Sequence, residues 1–194
     1  MQARELDELK TLLLRAPRRT LAVAESITCG RLQARIGAIS GASEFFLGGI
    51  TAYTLDEKVK HLGVKRAAAK AVNSVSAEVA EQMARGACAL FGSDFALATT
   101  GYAEPFDLAR GRPFDGEPSR NAQGRPLAEG RITAPFAWWA LAHAQGSRSG
   151  RGGKIIVRSG RIDGSGLARV AMQEFVAERA LAELVDYLRA ERAE

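Results

Sequence analysis

Apolar residues fall along this chain in two rhythms, and their alternation restricts the fold more than any other feature. The short continuous runs Leu21-Ala22-Val23-Ala24 and Phe95-Ala96-Leu97-Ala98-Thr99 have the length and content of strands buried on both faces. Around them the spacing becomes helical. Leu6, Leu9, Leu12 and Leu13 share one side ahead of Pro17, and Leu32 and Ile36 follow the turn Thr28-Cys29-Gly30. Val79, Met83, Ala87, Leu90 and Phe91 form the stripe of a long helix, with Ser76 as its N-cap, Glu78 in its first turn and Gly92 past its end. Another strand is expected from about Leu47 to Tyr53, followed by a short helix carrying Asp56, Glu57, Lys58 and His61. Two more strands are expected near 132–142 and 154–158, then a closing helix with Leu167, Val170, Ala171, Leu181, Leu184, Val185 and Leu188 on one face. Strands alternating with helices predict an α/β fold, three α/β/α layers around a central, mostly parallel sheet, with a ligand at the carboxyl ends of the strands.

At 194 residues the chain is expected to form one domain, 1–194, with a long loop rich in Pro, Gly and Arg over 106–130. The formal charge is +5, and arginines crowd between Arg110 and Arg169, which suits an anionic ligand. Elsewhere acids and arginines alternate, as in Glu174, Glu178, Arg179 and Glu183, the pattern of a solvated face. No basic run of the nucleic-acid type occurs, so nucleic acid is not the expected partner. Cys29 and Cys88 make neither a disulfide framework nor a zinc spacing, which fits a reducing compartment. Met1 to Leu14 is charged and amphipathic, unlike a signal peptide or membrane span, so the expected location is the cytoplasm with no membrane partner. Asp56, Glu57 and His61 lack further ligands, so no metal and no cofactor is expected.

Three turns, after Ala24, after Tyr53 and after Thr99, sit where such a fold places its chemistry. Ser26 lies between a buried strand and a helix start, near exposed N–H groups and the positive end of a helix dipole. Ser43 belongs to a Gly-Ala-Ser loop, Tyr53 ends a strand, and Lys58 lies on the short helix. Singly, these are a helix cap, a turn residue, a strand aromatic and a solvated lysine. Together they are the parts of acyl transfer without histidine: lysine as base, hydroxyl as attacker, tyrosine as relay. A lysine in that role needs its pKa lowered from about 10.4 by roughly two to three units. His61 and His143 have no local Ser or Asp partner and are assigned ordinary roles.

These residues resemble the carboxy-terminal domain of the CinA family, also found alone as a nicotinamide-nucleotide amidase. The family's A-E-S-C-T-G-G is similar to Ala24-Glu25-Ser26-Ile27-Thr28-Cys29-Gly30. Its G-S-S, F-x-x-G and Y-S-N-x-x-K resemble Gly41-Ala42-Ser43, Phe46 to Gly49, and Tyr53-Thr54-Leu55-Asp56-Glu57-Lys58. Leu62-Gly63-Val64 and the stretch from Ser74-Val75-Ser76 to Gly86-Ala87 match further elements, the second most specifically. Thr100-Gly101-Tyr102-Ala103-Glu104-Pro105 is similar to T-G-I-A-G-P, and Pro135 to Ala142 corresponds to a later strand.

The resemblance implies an amidohydrolase that converts nicotinamide mononucleotide or a related amide to acid and ammonia, working as a homodimer or larger homo-oligomer. Ser26, Ser43, Tyr53 and Lys58 would form the catalytic set, with the attacking serine left open. Glu25, Thr28, Gly30, Thr100, Gly101 and Tyr102 would surround the substrate, and N–H groups of Thr28 to Gly30 or Thr100 to Tyr102 would hold the oxyanion. The aromatic run Phe136, Trp138 and Trp139 suits an interface or a core.

Four departures bear on function. Cys29 replaces a glycine, Leu55 replaces an asparagine, Glu104 replaces a loop glycine, and the family's G-D-R is represented by Asp163-Gly164-Ser165 without its arginine. They support an alternative, a CinA-like binding protein with an altered pocket and little or no catalysis. A nucleic-acid-binding module, resting on net charge, is the third reading.

Overall fold

A computed structural model describes residues 3–107, 112–113, 131–145 and 154–193. In chain order these form α1 (Ala3–Leu14), β1 (Leu21–Glu25), α2 (Arg31–Gly37), β2 (Phe46–Thr51), α3 (Leu55–Leu62), α4 (Arg66–Ala71), α5 (Ala77–Phe91) and β3 (Phe95–Tyr102). Three two-residue strands follow, β4 (Phe106–Asp107), β5 (Arg112–Pro113) and β6 (Arg131–Ile132), then β7 (Phe136–Gln145), β8 (Lys154–Asp163) and α6 (Arg169–Ala193). Most of the loop expected over 106–130 lies outside the described residues; β4, β5 and β6 pair antiparallel at its edges.

The main sheet has five strands in the order β2-β1-β3-β7-β8. β1 runs parallel to both β2 and β3, while β7 is antiparallel to its neighbours β3 and β8. Four of the five strands therefore point one way, and the sheet is mixed rather than purely parallel. β1 leads outward through α2 to β2, and the chain then crosses by α3, α4 and α5 to β3 on the far side of β1. Such a reversal of strand order opens a crevice at the carboxyl ends of β1 and β3.

The strand runs are buried on both faces, but the two faces differ in bulk. Leu21, Val23, Phe95, Leu97, Trp139 and Leu141 pack with Leu9 and Leu13 of α1, Leu32 and Ile36 of α2, and the stripe of α6. On the other face Ala22, Ala96 and Ala142 align across three strands, as do Ala24, Ala98 and Ala140. This low alanine floor lets α5 approach through Ala80, Met83, Ala84 and Ala87. Ser76 caps α5 by accepting from the Val79 N–H at 3.1 Å, as its position predicts. Glu174 bridges Arg31 at 2.8 Å and Arg35 at 2.6 Å, so part of the α6 charge pattern read as solvated ties α6 to α2.

Several elements differ from expectation: β7 runs on to Gln145 and β8 to Asp163, and α6 begins only at Arg169, after Leu167. β3 continues to Tyr102, because β7 supplies an antiparallel partner beyond the parallel part of the sheet; Thr100, Gly101 and Tyr102 are strand, not loop. α4 was not anticipated, its Arg-Ala-Ala-Ala-Lys-Ala sequence lacking an apolar stripe.

Gly86 fixes the helix that carries Lys58. A Cβ there would stand 2.2 Å from the carbonyl oxygen of Leu62, the last residue of α3. Gly→Ala in an exposed helix interior gains about 1 kcal/mol. Here the contact reverses the sign: Gly86→Ala should lose about 1–3 kcal/mol in urea unfolding, as overpacking does.

Candidate active site

The turns after β1 and β2 and the end of β3 meet over a cleft of about 460 Å³, the size of a small-molecule site. Ser26 begins the turn after β1; its N–H donates to Thr99 O at 3.0 Å, so the serine stays in register with β3. Facing it, α3 begins at Leu55, where the Thr54 hydroxyl accepts from the Glu57 N–H, and Lys58 projects inward one turn later. The Lys58 side chain is 2% exposed. Its Nζ donates to Ser26 Oγ at 2.9 Å and to the backbone carbonyl of Tyr53 at 3.1 Å. Neither acceptor carries a charge, and burial pushes the amine down to about 8.

Ser43 does not join this pair. It is exposed on the turn entering β2, whose first residue pairs with Leu21 at the amino end of β1, a strand length from the cleft. The parallel register, invisible to motif spacing, separates the two serines. Tyr53 lines the cleft, but its hydroxyl accepts from Arg169 at 2.9 Å, and only its carbonyl meets Lys58. It does not stand as a relay between the lysine and a serine.

The start of α2, including the Gly30 N–H of the expected oxyanion site, is bonded from within. Buried Glu25 accepts from Thr28 Oγ1 at 2.6 Å and from the N–H groups of Gly30, Leu32 and Gln33 at 2.9, 3.1 and 2.9 Å. Thr28 Oγ1 also lies 2.8 Å from Thr99 Oγ1. Glu25, Thr28 and Gly30 are thus the frame beneath the Ser26 turn, and the cleft lining omits them. Thr100, Gly101 and Tyr102 do line it.

Other lining residues were not singled out from the sequence. Asn73 and Ser74 both have left-handed backbones, φ 47° and 61°, and face the end of β3. Asn73 Nδ2 donates to the Tyr102 hydroxyl at 3.0 Å, and Thr100 Oγ1 donates to Ser74 O at 2.8 Å. Asn tolerates that backbone region, a weak signal that was available; the contacts hold Ser74 there too. Lys70 stands exposed at the rim and, among the described residues, makes no ion pair. Arg169, first residue of α6, also lines the cleft, bonded to Glu104 and to Tyr53. The arginine looked for beside Asp163-Gly164-Ser165 is missing there, yet α6 delivers one; nothing local in the sequence marks it. The histidines serve structure: His61 pairs with Glu57 at 2.9 Å, and buried His143 lies 2.9 Å from the Tyr187 hydroxyl.

An α/β domain with a hydroxyl and a buried amine at the carboxyl ends of its strands is the class defined so far. The chain belongs to the CinA C-terminal domain family, whose model matches residues 3–114. It is 50% identical over 93 residues to a CinA-like protein of Picosynechococcus sp., covering 48% of this chain and 22% of that protein. A CinA-like protein of Geobacter metallireducens is 45% identical over 100 residues, covering 52% of this chain and 24% of that one. The match thus spans about a quarter of these relatives' length. The fold agrees with a competence-damaged protein (CinA) superfamily protein from Klebsiella pneumoniae 700603, at TM-score 0.70 and 22% identity over 96% of this chain and 97% of that one. A competence/damage inducible protein from Agrobacterium tumefaciens superposes with TM-score 0.66 at 22% identity, over 97% of this chain and 98% of that one. Among the described residues no helix is long and apolar enough to cross a membrane, and no cluster of His, Cys, Asp and Glu is arranged to hold a metal.

Cys29 adopts φ 48°, the left-handed region that glycine enters without strain. Cys29→Gly should therefore stabilise the chain by about 0.5–1 kcal/mol, the strain relieved exceeding the added chain entropy. Thermal unfolding checks this; a lower melting temperature would contradict it.

Proposed function

We propose that this chain is a serine amidohydrolase of the nicotinamide-nucleotide amidase type, hydrolysing nicotinamide mononucleotide or a related carboxamide to acid and ammonia. The observation that carries this reading is the 2.9 Å contact between Lys58 Nζ and Ser26 Oγ in a site that holds the amine near neutrality. Family membership supports it.

In its neutral form Lys58 takes the Ser26 hydroxyl proton as Oγ attacks the carboxamide carbon. The carbonyl π pair moves to oxygen, and the backbone N–H of Ile27, the residue after the nucleophile and part of the cleft lining, would be one donor to that charge, with those of Thr100 to Tyr102 as the other candidates. Collapse breaks the C–N bond, and Lys58 returns its proton to the leaving nitrogen, releasing ammonia and leaving an ester on Ser26. Water then gives a proton to Lys58 and attacks the ester; loss of Ser26 Oγ, reprotonated by Lys58, yields the acid. Ile27, Leu55, Val75 and Phe106 provide apolar surface for a flat ring beside the reacting group.

The alternative of a non-catalytic binding protein drew on Cys29, Leu55, Glu104 and the missing arginine. Arg169 brings a guanidinium to the cleft from α6, which answers the last of these and leaves the other three; a ligand-induced rise in melting temperature without ammonia release would favour that alternative.

Ammonia release from nicotinamide mononucleotide and related amides tests the proposal. Lys58→Ala and Ser26→Ala should each lower turnover about 10³-fold, whereas Ser43→Ala should leave it within about twofold. The active base is the deprotonated amine, so kcat/KM should rise about tenfold per pH unit below about 8 and level off above it. No turnover above the Lys58→Ala control, or loss of activity in Ser43→Ala, overturns it.

A further inference from the structure

Lys70, Glu104 and Arg169 line the cleft and take no part in the proposed steps. Glu104 lies just beyond the end of β3 and bonds the guanidinium of Arg169, whose other terminal nitrogen donates to the Tyr53 hydroxyl at 2.9 Å. The contact joins the segments after β2 and β3 to the start of α6 across one wall of the cleft. Among the described lining residues Arg169 supplies the guanidinium, and both of its terminal nitrogens are already donating. A phosphate bound by arginine normally takes two parallel N–H bonds from that fork. Here those two bonds leave only the remaining N–H groups of the guanidinium, and a phosphate taking them would sit a few ångströms from Glu104, a carboxylate of its own sign that repels it. Lys70 offers a single solvated ammonium at the rim and does not replace that geometry.

We infer that Glu104 sets the charge specificity of this cleft: by occupying Arg169 it disfavours amides whose distal end is a phosphate and selects those with an uncharged distal end. The inference rests on the amidohydrolase reading for its reaction, but the selectivity is a matter of binding and is measurable without turnover. It favours the dephosphorylated relative of a nucleotide amide over the nucleotide itself. The pair is partly solvated, with side-chain exposures of 31% for Glu104 and 45% for Arg169, so its loss costs little stability and the variants remain folded.

Nicotinamide riboside and nicotinamide mononucleotide differ only in the phosphate and serve as probes. Their dissociation constants should be measured by calorimetry on the full chain, wild type, Glu104→Gln, and the double variant Glu104→Gln with Arg169→Gln, each checked for folding by its melting temperature. The wild type is expected to bind the riboside at least as tightly as the mononucleotide. Glu104→Gln should shift the ratio toward the mononucleotide by at least about tenfold, and the double variant should lose that shift. An unchanged ratio in Glu104→Gln, a shift that survives loss of Arg169, or no mononucleotide binding by Glu104→Gln overturns the inference. Absence of ammonia from either probe, with the binding shift intact, would instead sink the amidohydrolase reading and leave the charge selection standing.

Discussion

Lys58 places an amine in the interior with a hydroxyl and a carbonyl for company and no bonded carboxylate. Burying a charge in that way is unfavourable, and the lowered pKa is the same fact expressed as proton affinity. Below about pH 8 the amine is protonated in both the folded and unfolded chain, and the fold bears the full penalty, of order 3 kcal/mol. Between about 8 and 10.5 the folded chain releases the proton while the unfolded chain keeps it, so stability rises with pH across that window. The rest of the molecule must therefore hold the amine inward. The Thr54 cap, the packing of α3 on Gly86 of α5, and the Tyr53 carbonyl supply that restraint.

The division of the sheet into a bulky and a small face serves the same end. Large side chains of β1 and β3 build the layer under α1, α2 and α6, and rows of alanine let α5, and with it α3, come close on the other side. Glu25 completes the arrangement from below. Its carboxylate satisfies the exposed N–H groups at the start of α2, so the Ser26 turn is rigid and that helix end is closed to an external anion. Polar side chains gather instead at the end of β3 and the start of α6, where Thr100, Tyr102, Asn73 and Arg169 line the cleft.

Periodicity made most of the fold legible. The runs at Leu21 and Phe95, the N-cap at Ser76 and the stripe of α5 were readable because burial and capping leave local marks. Ser26 and Lys58 were readable as a pair because topology brings the turns after parallel strands together. Ser43 misled because motif spacing does not say which end of a strand a turn adjoins, and register alone settles that. Arg169 escaped because it reaches the cleft from the beginning of the closing helix, a long-range placement without a local signature. The role of Glu25 was misjudged because its four donors lie in the next helix start and form a cap only once the turn has closed.

Carbon-13 NMR of the Lys58 side chain, assigned with Lys58→Arg and followed from pH 6 to 11, tests the central claim most directly. The expected titration midpoint is near 8, well below the ordinary lysine value of about 10.4. A Lys58 midpoint near about 10.4 would mean an amine in contact with water rather than seated on Ser26, and would contradict the central claim.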